Sequence, residues 1–250
     1  MYNMVFWRCL IAWGFMTFLT LGCSDMANSS AENTKQVVQK SNITQMLIEA
    51  QTNQKAESLL NQGNSSLDAH RYDNAIEVYD KAIGIKPANV EAWINRGIAL
   101  TALQRYQDAL ASYDKGISIE PDKYEAWYNR GIVLTALQRY QDALASYDKA
   151  IAIKPDKYEA WINRGITLTK LERYQDALAS YDKAIAIKPD QHEAYYNKAC
   201  SYALQSNVKL AIENLNKAMK LNASKYQKLA KTDTDFNNIR HEKQFRELIE

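Results

Sequence analysis

Glu125-Ala-Trp-Tyr-Asn-Arg-Gly131, then Tyr140-Gln-Asp-Ala143, Tyr147-Asp-Lys-Ala150 and Pro155, decide the reading of this chain. The same pattern returns 34 positions later, and residues 124–157 and 158–191 differ at only five of 34 places. All four prolines (Pro87, Pro121, Pro155 and Pro189) keep that interval. A fixed period of this length is the mark of a helix-turn-helix solenoid, in which each unit buries its apolar face only against its neighbours. Five copies are legible, at 56–89, 90–123, 124–157, 158–191 and 192–225. The outer ones are degraded: Leu59 replaces the tryptophan of the first, while Ala199 replaces the glycine and Ala223 the proline of the fifth.

Within one unit the residue sizes predict two packed helices. Small residues recur where helices must approach, at Gly97, Gly131 and Gly165 on the first helix and Ala109, Ala143 and Ala177 on the second. Trp93, Trp127 and Trp161, with Tyr113, Tyr147 and Tyr181, supply the bulk between them. Each proline closes a second helix, because it cannot donate the next backbone hydrogen bond. The segments Asp122-Lys-Tyr-Glu125, Asp156-Lys-Tyr-Glu159 and Asp190-Gln-His-Glu193 have capping-box spacing and are expected to start the next first helix. The glutamates of this column, with Glu91, have a second reading as an acidic lining.

These units resemble the tetratricopeptide repeat (TPR) family, over 170 of the 250 residues. The resemblance implies an all-α, right-handed TPR α-solenoid of about five helix-turn-helix repeats with helical caps. It also implies a concave surface, lined by the first helices, that holds a protein or peptide partner. Carried onto matching positions, the lining is Ile94, Tyr128, Ile162 and Tyr196, then Asn95, Asn129, Asn163 and Asn197, with Ile98, Ile132 and Ile166 one turn on. An asparagine amide both donates and accepts, which suits the backbone of an extended ligand. The same column also serves in the family to tie neighbouring repeats, and both roles stay open. Arg96, Arg130 and Arg164 replace the family's usual leucine, and their stems are expected to pack between helices with each guanidinium paired to an acid. The lysines and arginine of a carboxylate clamp are missing from the matching places.

Composition narrows the function further. Hydrophobic residues are 46% and charged residues 24% of the chain, as a packed core requires. Thirty-one basic residues stand against 29 acidic ones, balanced within each repeat, so no nucleic-acid partner is expected. Three cysteines and three histidines lie far apart and suggest no metal cluster. No phosphate loop, nucleophile elbow or metallohydrolase helix occurs, and a near-identical array offers no unique catalytic constellation. The expectation is a non-enzyme without catalytic residues, metal or cofactor.

The amino terminus reads as an address. Arg8 precedes an uncharged run from Cys9 to Gly22, whose helical length of about 21 Å falls short of a bilayer core. Such a run reads as a signal segment, 1–22. Leu19-Thr-Leu-Gly-Cys23 resembles the bacterial lipobox, with Thr20 and Leu21 in reversed order, which makes Cys23 the expected lipid attachment site. A plain cleavable signal and an uncleaved anchor are the alternatives. Residues 23–40 are small and polar and suit a flexible tether. Residues 41–55 have helical spacing and form a candidate N-terminal cap, and 226–250 a C-terminal one that covers the last apolar face. The whole suggests a lipid-anchored adaptor or scaffold on a bacterial membrane of the cell envelope, binding a protein or peptide. A self-associating structural module, or a regulatory subunit of an envelope hydrolase or protease, is the alternative.

Overall fold

A computed structural model describes the backbone of residues 6–250 and the side chains of residues 33–250. The side chains of the signal segment and of Cys23 therefore lie outside the described residues, and residues 23–40, expected as a flexible tether, run within a helix that spans Phe6–Asp68. The chain divides into two compact units, residues 1–55 and 56–250. In the first, residues 33–55 belong to helix α1 (Phe6–Asp68) and every side chain is exposed. No helix among the described residues is long and apolar enough to cross a membrane.

The second unit is a series of antiparallel helix pairs. The end of α1 pairs with α2 (Tyr72–Ile85), α3 (Val90–Ala102) with α4 (Tyr106–Ile119), and α5 (Tyr124–Ala136) with α6 (Tyr140–Ile153). Next come α7 (Tyr158–Lys170) with α8 (Tyr174–Ile187), and α9 (His192–Leu204) with α10 (Val208–Leu221). Helix α11 (Ala223–Thr232), a 3-10 helix (Thr234–Ile239) and α12 (Lys243–Ile249) finish the chain.

Each of the first four pairs is closed by a tyrosine ring lying on a glycine. A Cβ built on Gly131 would sit 2.5 Å from Cε1 of Tyr147, and the same holds for Gly97 with Tyr113 and Gly165 with Tyr181. Any side chain there must displace a ring that is 1% exposed. In the last pair both partners change together: Ala199 stands for the glycine and Leu215 for the tyrosine, and both are fully buried. The smaller partner leaves room for the added methyl group.

The turn inside each pair is built without glycine. His70, Gln104, Gln138, Glu172 and Ser206 all take a left-handed φ of 57–58°. In the second pair Arg105 N donates to Leu100 O at 2.9 Å and Gln104 N to Thr101 O at 2.9 Å, which satisfies the carbonyls at the helix end. A side chain in this conformation costs about 1 kcal/mol or more, and the long polar residues that occupy it stay in solvent.

Between pairs, the chain stops each second helix two residues before proline or its equivalent and restarts at the next first helix. Here the expected capping boxes do not form. Helix α5 begins at Tyr124, so its N-cap is Lys123, which has no side-chain acceptor; Asp122 lies one residue too early. Lys157 and Gln191 hold the same place before α7 and α9, again with no side-chain cap. Before α3 that place is Asn89, and there Ala92 N donates to Asn89 Oδ1 at 3.0 Å.

Two changes of glycine to alanine separate these contacts from helix propensity. Gly131→Ala is expected to lower the melting temperature, by about 1–3 kcal/mol of overpacking, and Tyr147→Leu added to it should recover part of the loss. Gly84, on α2 with nothing within 4 Å of its would-be Cβ, should instead gain about 0.5–1 kcal/mol as alanine. Thermal melts of the four proteins check both signs.

Candidate functional site

The first helices follow one another along the array, and their exposed face is the candidate site. A polar ladder runs beneath it. Tyr113, Tyr147 and Tyr181 direct their hydroxyls to Thr101, Thr135 and Thr169 at 3.1–3.3 Å. Burial holds these phenols well above their usual titration range, so they act as neutral hydrogen-bonding groups. Thr135 then meets Thr167 at 3.2 Å and Thr169 meets Ser201 at 2.8 Å, joining successive first helices.

A second ladder joins each pair to the one before. Arg96 donates through Nε to Asp80 at 2.7 Å and through Nη1 to Ser112 at 2.7 Å. Arg130 repeats this with Asp114 and Ser146, and Arg164 with Asp148 and Ser180. The acid is thus the aspartate of the preceding second helix. In the last pair Lys198 takes the arginine's place against Asp182. The aspartates are more than half exposed, so each charge pair is worth at most about 1 kcal/mol, and its buried serine contact adds direction.

The asparagine column splits by role. Asn95 Nδ2 donates to Asn64 Oδ1 at 2.9 Å, Asn163 Nδ2 to the Tyr128 hydroxyl at 2.9 Å, and Asn197 Nδ2 to its own helix at Glu193 O, 2.9 Å away. Asn129 is half-buried and makes no side-chain hydrogen bond among the described residues. Ile94, Ile162 and Tyr196 are buried, at 4–7% exposure, and contribute packing in this structure. Ile98, Tyr128, Ile132 and Ile166 are half-buried against the core and keep part of their surface open.

Sequence reasoning passed over two tyrosines, Tyr124 and Tyr158, at the head of their helices. The Tyr124 ring stacks on Tyr128, with centroids 5.5 Å apart and planes at 12°. Lys154 lies 5.2 Å above Tyr124, and Lys188 lies 4.6 Å above Tyr158. A tyrosine directly before Glu125 and Glu159, where Glu91 follows Val90 and Glu193 follows His192, was the available signal. The glutamates themselves reach sideways instead of capping. Asn64 Nδ2 meets Glu91 Oε1 at 3.4 Å, Lys154 Nζ meets Glu125 Oε1 at 3.0 Å and Lys225 Nζ meets Glu193 Oε1 at 3.2 Å. Glu159 takes no donor, and its Oε2 is closed off from solvent.

At the carboxyl end the face is covered by the chain itself. Tyr196 stacks on Tyr226 at 4.7 Å, meets Phe236 edge-on, and donates its hydroxyl to Asp233 Oδ2 at 2.7 Å. His192 Nδ1 and the Tyr226 hydroxyl lie 2.6 Å apart. Phe236, Ile239, Phe245 and Ile249 extend the same buried cluster. The face is therefore covered at α9 and left open over α3, α5 and α7.

One group among the described residues has ligand-type atoms close enough to share an ion: Cys200, Asp233 and Asp235, within 4.8 Å of one another. Their bonds are otherwise engaged. Asp233 accepts from Tyr196, from the Cys200 thiol at 3.9 Å, and through Oδ1 from Asp235 N at 3.0 Å. Burial, then the two carboxylates, push the Cys200 thiol up and keep it protonated. Asp235 also titrates above the ordinary carboxylate value, through burial and then the Asp233 charge.

Family models described as the tetratricopeptide repeat match residues 60–122, 124–157, 158–191 and 192–225. No curated protein matches the chain by sequence. Among solved structures, "MamA 41-end from Desulfovibrio magneticus RS-1" is 24% identical, with a TM-score of 0.64 over 68% of this chain and 96% of that one. YrrB, "a TPR protein with an unusual peptide-binding site", is 23% identical, with a TM-score of 0.58 over 66% of this chain and 85% of that one. These likenesses establish the fold.

The Asp235 carboxyl gives a pH test of the closing segment. A carboxyl raised in the folded state weakens the fold above that raised value, because the unfolded chain ionises more easily. The penalty vanishes once the pH falls below the unfolded pKa of about 4. Asp235→Asn should therefore raise the melting temperature at neutral pH and lose that advantage near pH 3, as melts across the range will show.

Proposed function

Because the chain belongs to the tetratricopeptide repeat family, we propose that it is an adaptor that holds an extended protein segment on its first helices while tethered to a bacterial envelope membrane. The observation that carries this reading is Asn129. Its neighbours in the column spend their amides on the fold, whereas Asn129 keeps both donor and acceptor unspent beside the half-exposed Tyr128 and Ile132. A ligand backbone offers the complementary pair of groups, and the flanking side chains add apolar contact. The peptide-binding site named for YrrB supports the same use of the fold. The adaptor acts by binding and changes no covalent bond.

Affinity capture from detergent-solubilised membranes tests the groove. A partner held by the wild type should be lost from Asn129→Ala, whose helix content is expected to be unchanged because that amide bonds nothing in the fold. Equal capture by both proteins moves the binding surface elsewhere. A mass in solution that rises with concentration, with no partner captured, favours self-association.

The tether rests on the sequence at Cys9–Cys23: a short uncharged run, a lipobox-like end and a polar stretch after it. A thioether-linked lipid at Cys23 would hold the adaptor at the membrane, and residues 24–40 would give it reach. Labelled fatty acid fed to the producing cell should enter the wild type and not Cys23→Ala. Equal labelling of both puts the lipid elsewhere, and labelling of neither removes the lipid anchor.

A further inference from the structure

Four glutamates occupy one column at the start of α3, α5, α7 and α9, and three of them are satisfied by donors from neighbouring segments. Glu91 has Asn64, Glu125 has Lys154, and Glu193 has Lys225. Glu159 is the exception. By position its donor would be Lys188, which stands 29 residues on, as Lys154 does from Glu125. Lys188 instead directs its ammonium to the Tyr158 hydroxyl at 3.3 Å and lies over that ring.

The result is a carboxylate with neither oxygen hydrogen-bonded among the described residues, one of them closed to water. A half-buried carboxylate without a donor loses hydration and regains nothing in exchange. Its surroundings are aromatic, apart from the Lys188 ammonium, which feels its charge without bonding it. The negative charge of Glu159 is felt by both Tyr124 and Tyr128, where it adds to burial in raising their phenols. Those two rings stack with each other one turn from Asn129. Tyr124 is buried, stacked on Tyr128 and lies under the Lys154 ammonium, so the half-buried Tyr128 is the ring left to a ligand, and a carboxylate without a hydrogen-bond donor near it favours a cation.

We propose that the extended segment held on this face carries a basic side chain, arginine or lysine, which seats on the Glu159 carboxylate beside Tyr128. The inference rests on the peptide-binding reading above and names the chemistry of the partner. The incoming N–H bonds Oε1, since Oε2 is closed off from the outside, and either a guanidinium or an ammonium can supply it. Single occupancy follows from the array: the neighbouring glutamates are already paired, so one basic residue sets the register of an otherwise repetitive groove.

Short random peptides displayed for selection on the full-length chain provide the test. Binders are resynthesised with acetylated and amidated ends, so that a terminal amine cannot stand in for the side chain, and measured by fluorescence anisotropy. The selected peptides should share an arginine or lysine at one place. Replacing it by norleucine, or Glu159 by glutamine in the protein, should each weaken binding about tenfold or more, and the two losses should not add. Glu77→Gln removes the same charge from α2, outside the face, and should leave affinity unchanged. Circular dichroism and melting of Glu159→Gln check that the fold is intact. Binders that Asn129→Ala abolishes but Glu159→Gln leaves untouched would overturn the cation and spare the groove. No binders, or binders indifferent to both changes, would overturn the groove reading and the cation with it.

Discussion

A tyrosine ring lying flat against a glycine sets the distance between the two helices of each central repeat. Because the ring fills the place of a Cβ, the helices approach to where the tyrosine hydroxyl reaches the next turn of the first helix, at Thr101, Thr135 or Thr169. Thr135 and Thr169 in turn meet Thr167 and Ser201 on the following first helix, whereas after Thr101 that place is Val133. One steric contact thus fixes the pair, and one hydrogen-bonded chain passes its geometry to the next pair. The last repeat keeps the volume and gives up the polarity: Ala199, Leu215 and Ala203 replace glycine, tyrosine and threonine. That exchange suits a position where the array stops and aromatic closing residues take over.

The arginine ladder does a different job on the same helices. Each guanidinium joins an aspartate behind it to a serine within its own pair, while the adjacent tryptophan donates its indole N–H to the carbonyl of the preceding proline, as Trp127 does to Pro121 at 2.8 Å. These contacts are individually modest and mostly half-exposed. Repeated at every junction, they orient neighbouring pairs, which suits a structure whose stability is a sum of repeat and nearest-neighbour terms. The left-handed turns at Gln104, Gln138 and Glu172 cost conformational energy at the same interval, and the array sustains them through the packing on either side.

Against this regular background, the departures carry the functional information. Asn129 is unspent where Asn95 and Asn163 are bonded, and Glu159 is unpaired where Glu91, Glu125 and Glu193 are paired. Both fall on α5 and α7, within the stretch of the first-helix face that the closing segment leaves open. The closing segment bounds it through Tyr226, Asp233 and Phe236, which occupy the surroundings of Tyr196.

By itself the sequence determined the repeat number, the helical class and the positions of the close contacts. A 34-residue period, a glycine, a tyrosine and a proline are local, repeated constraints that leave one arrangement open to the chain. It also indicated that each arginine would need an acid. Which acid was a matter of tertiary structure, since the aspartate lies 16 residues back on another helix and no spacing rule connects them. The same holds for the glutamates. Their spacing from Asp122, Asp156 and Asp190 matched a capping box, but the helices start at Tyr124, Tyr158 and His192 and place lysine or glutamine at the cap. The predicted lining divided likewise: Ile94, Ile162 and Tyr196 turned inward, Tyr124 is buried beneath the head of its helix, and only the half-buried Tyr158 joined the face from outside the motif. Near-identical repeats have near-identical sequences, so a difference such as Lys188 choosing Tyr158 over Glu159 is decided by the three-dimensional choice of partner.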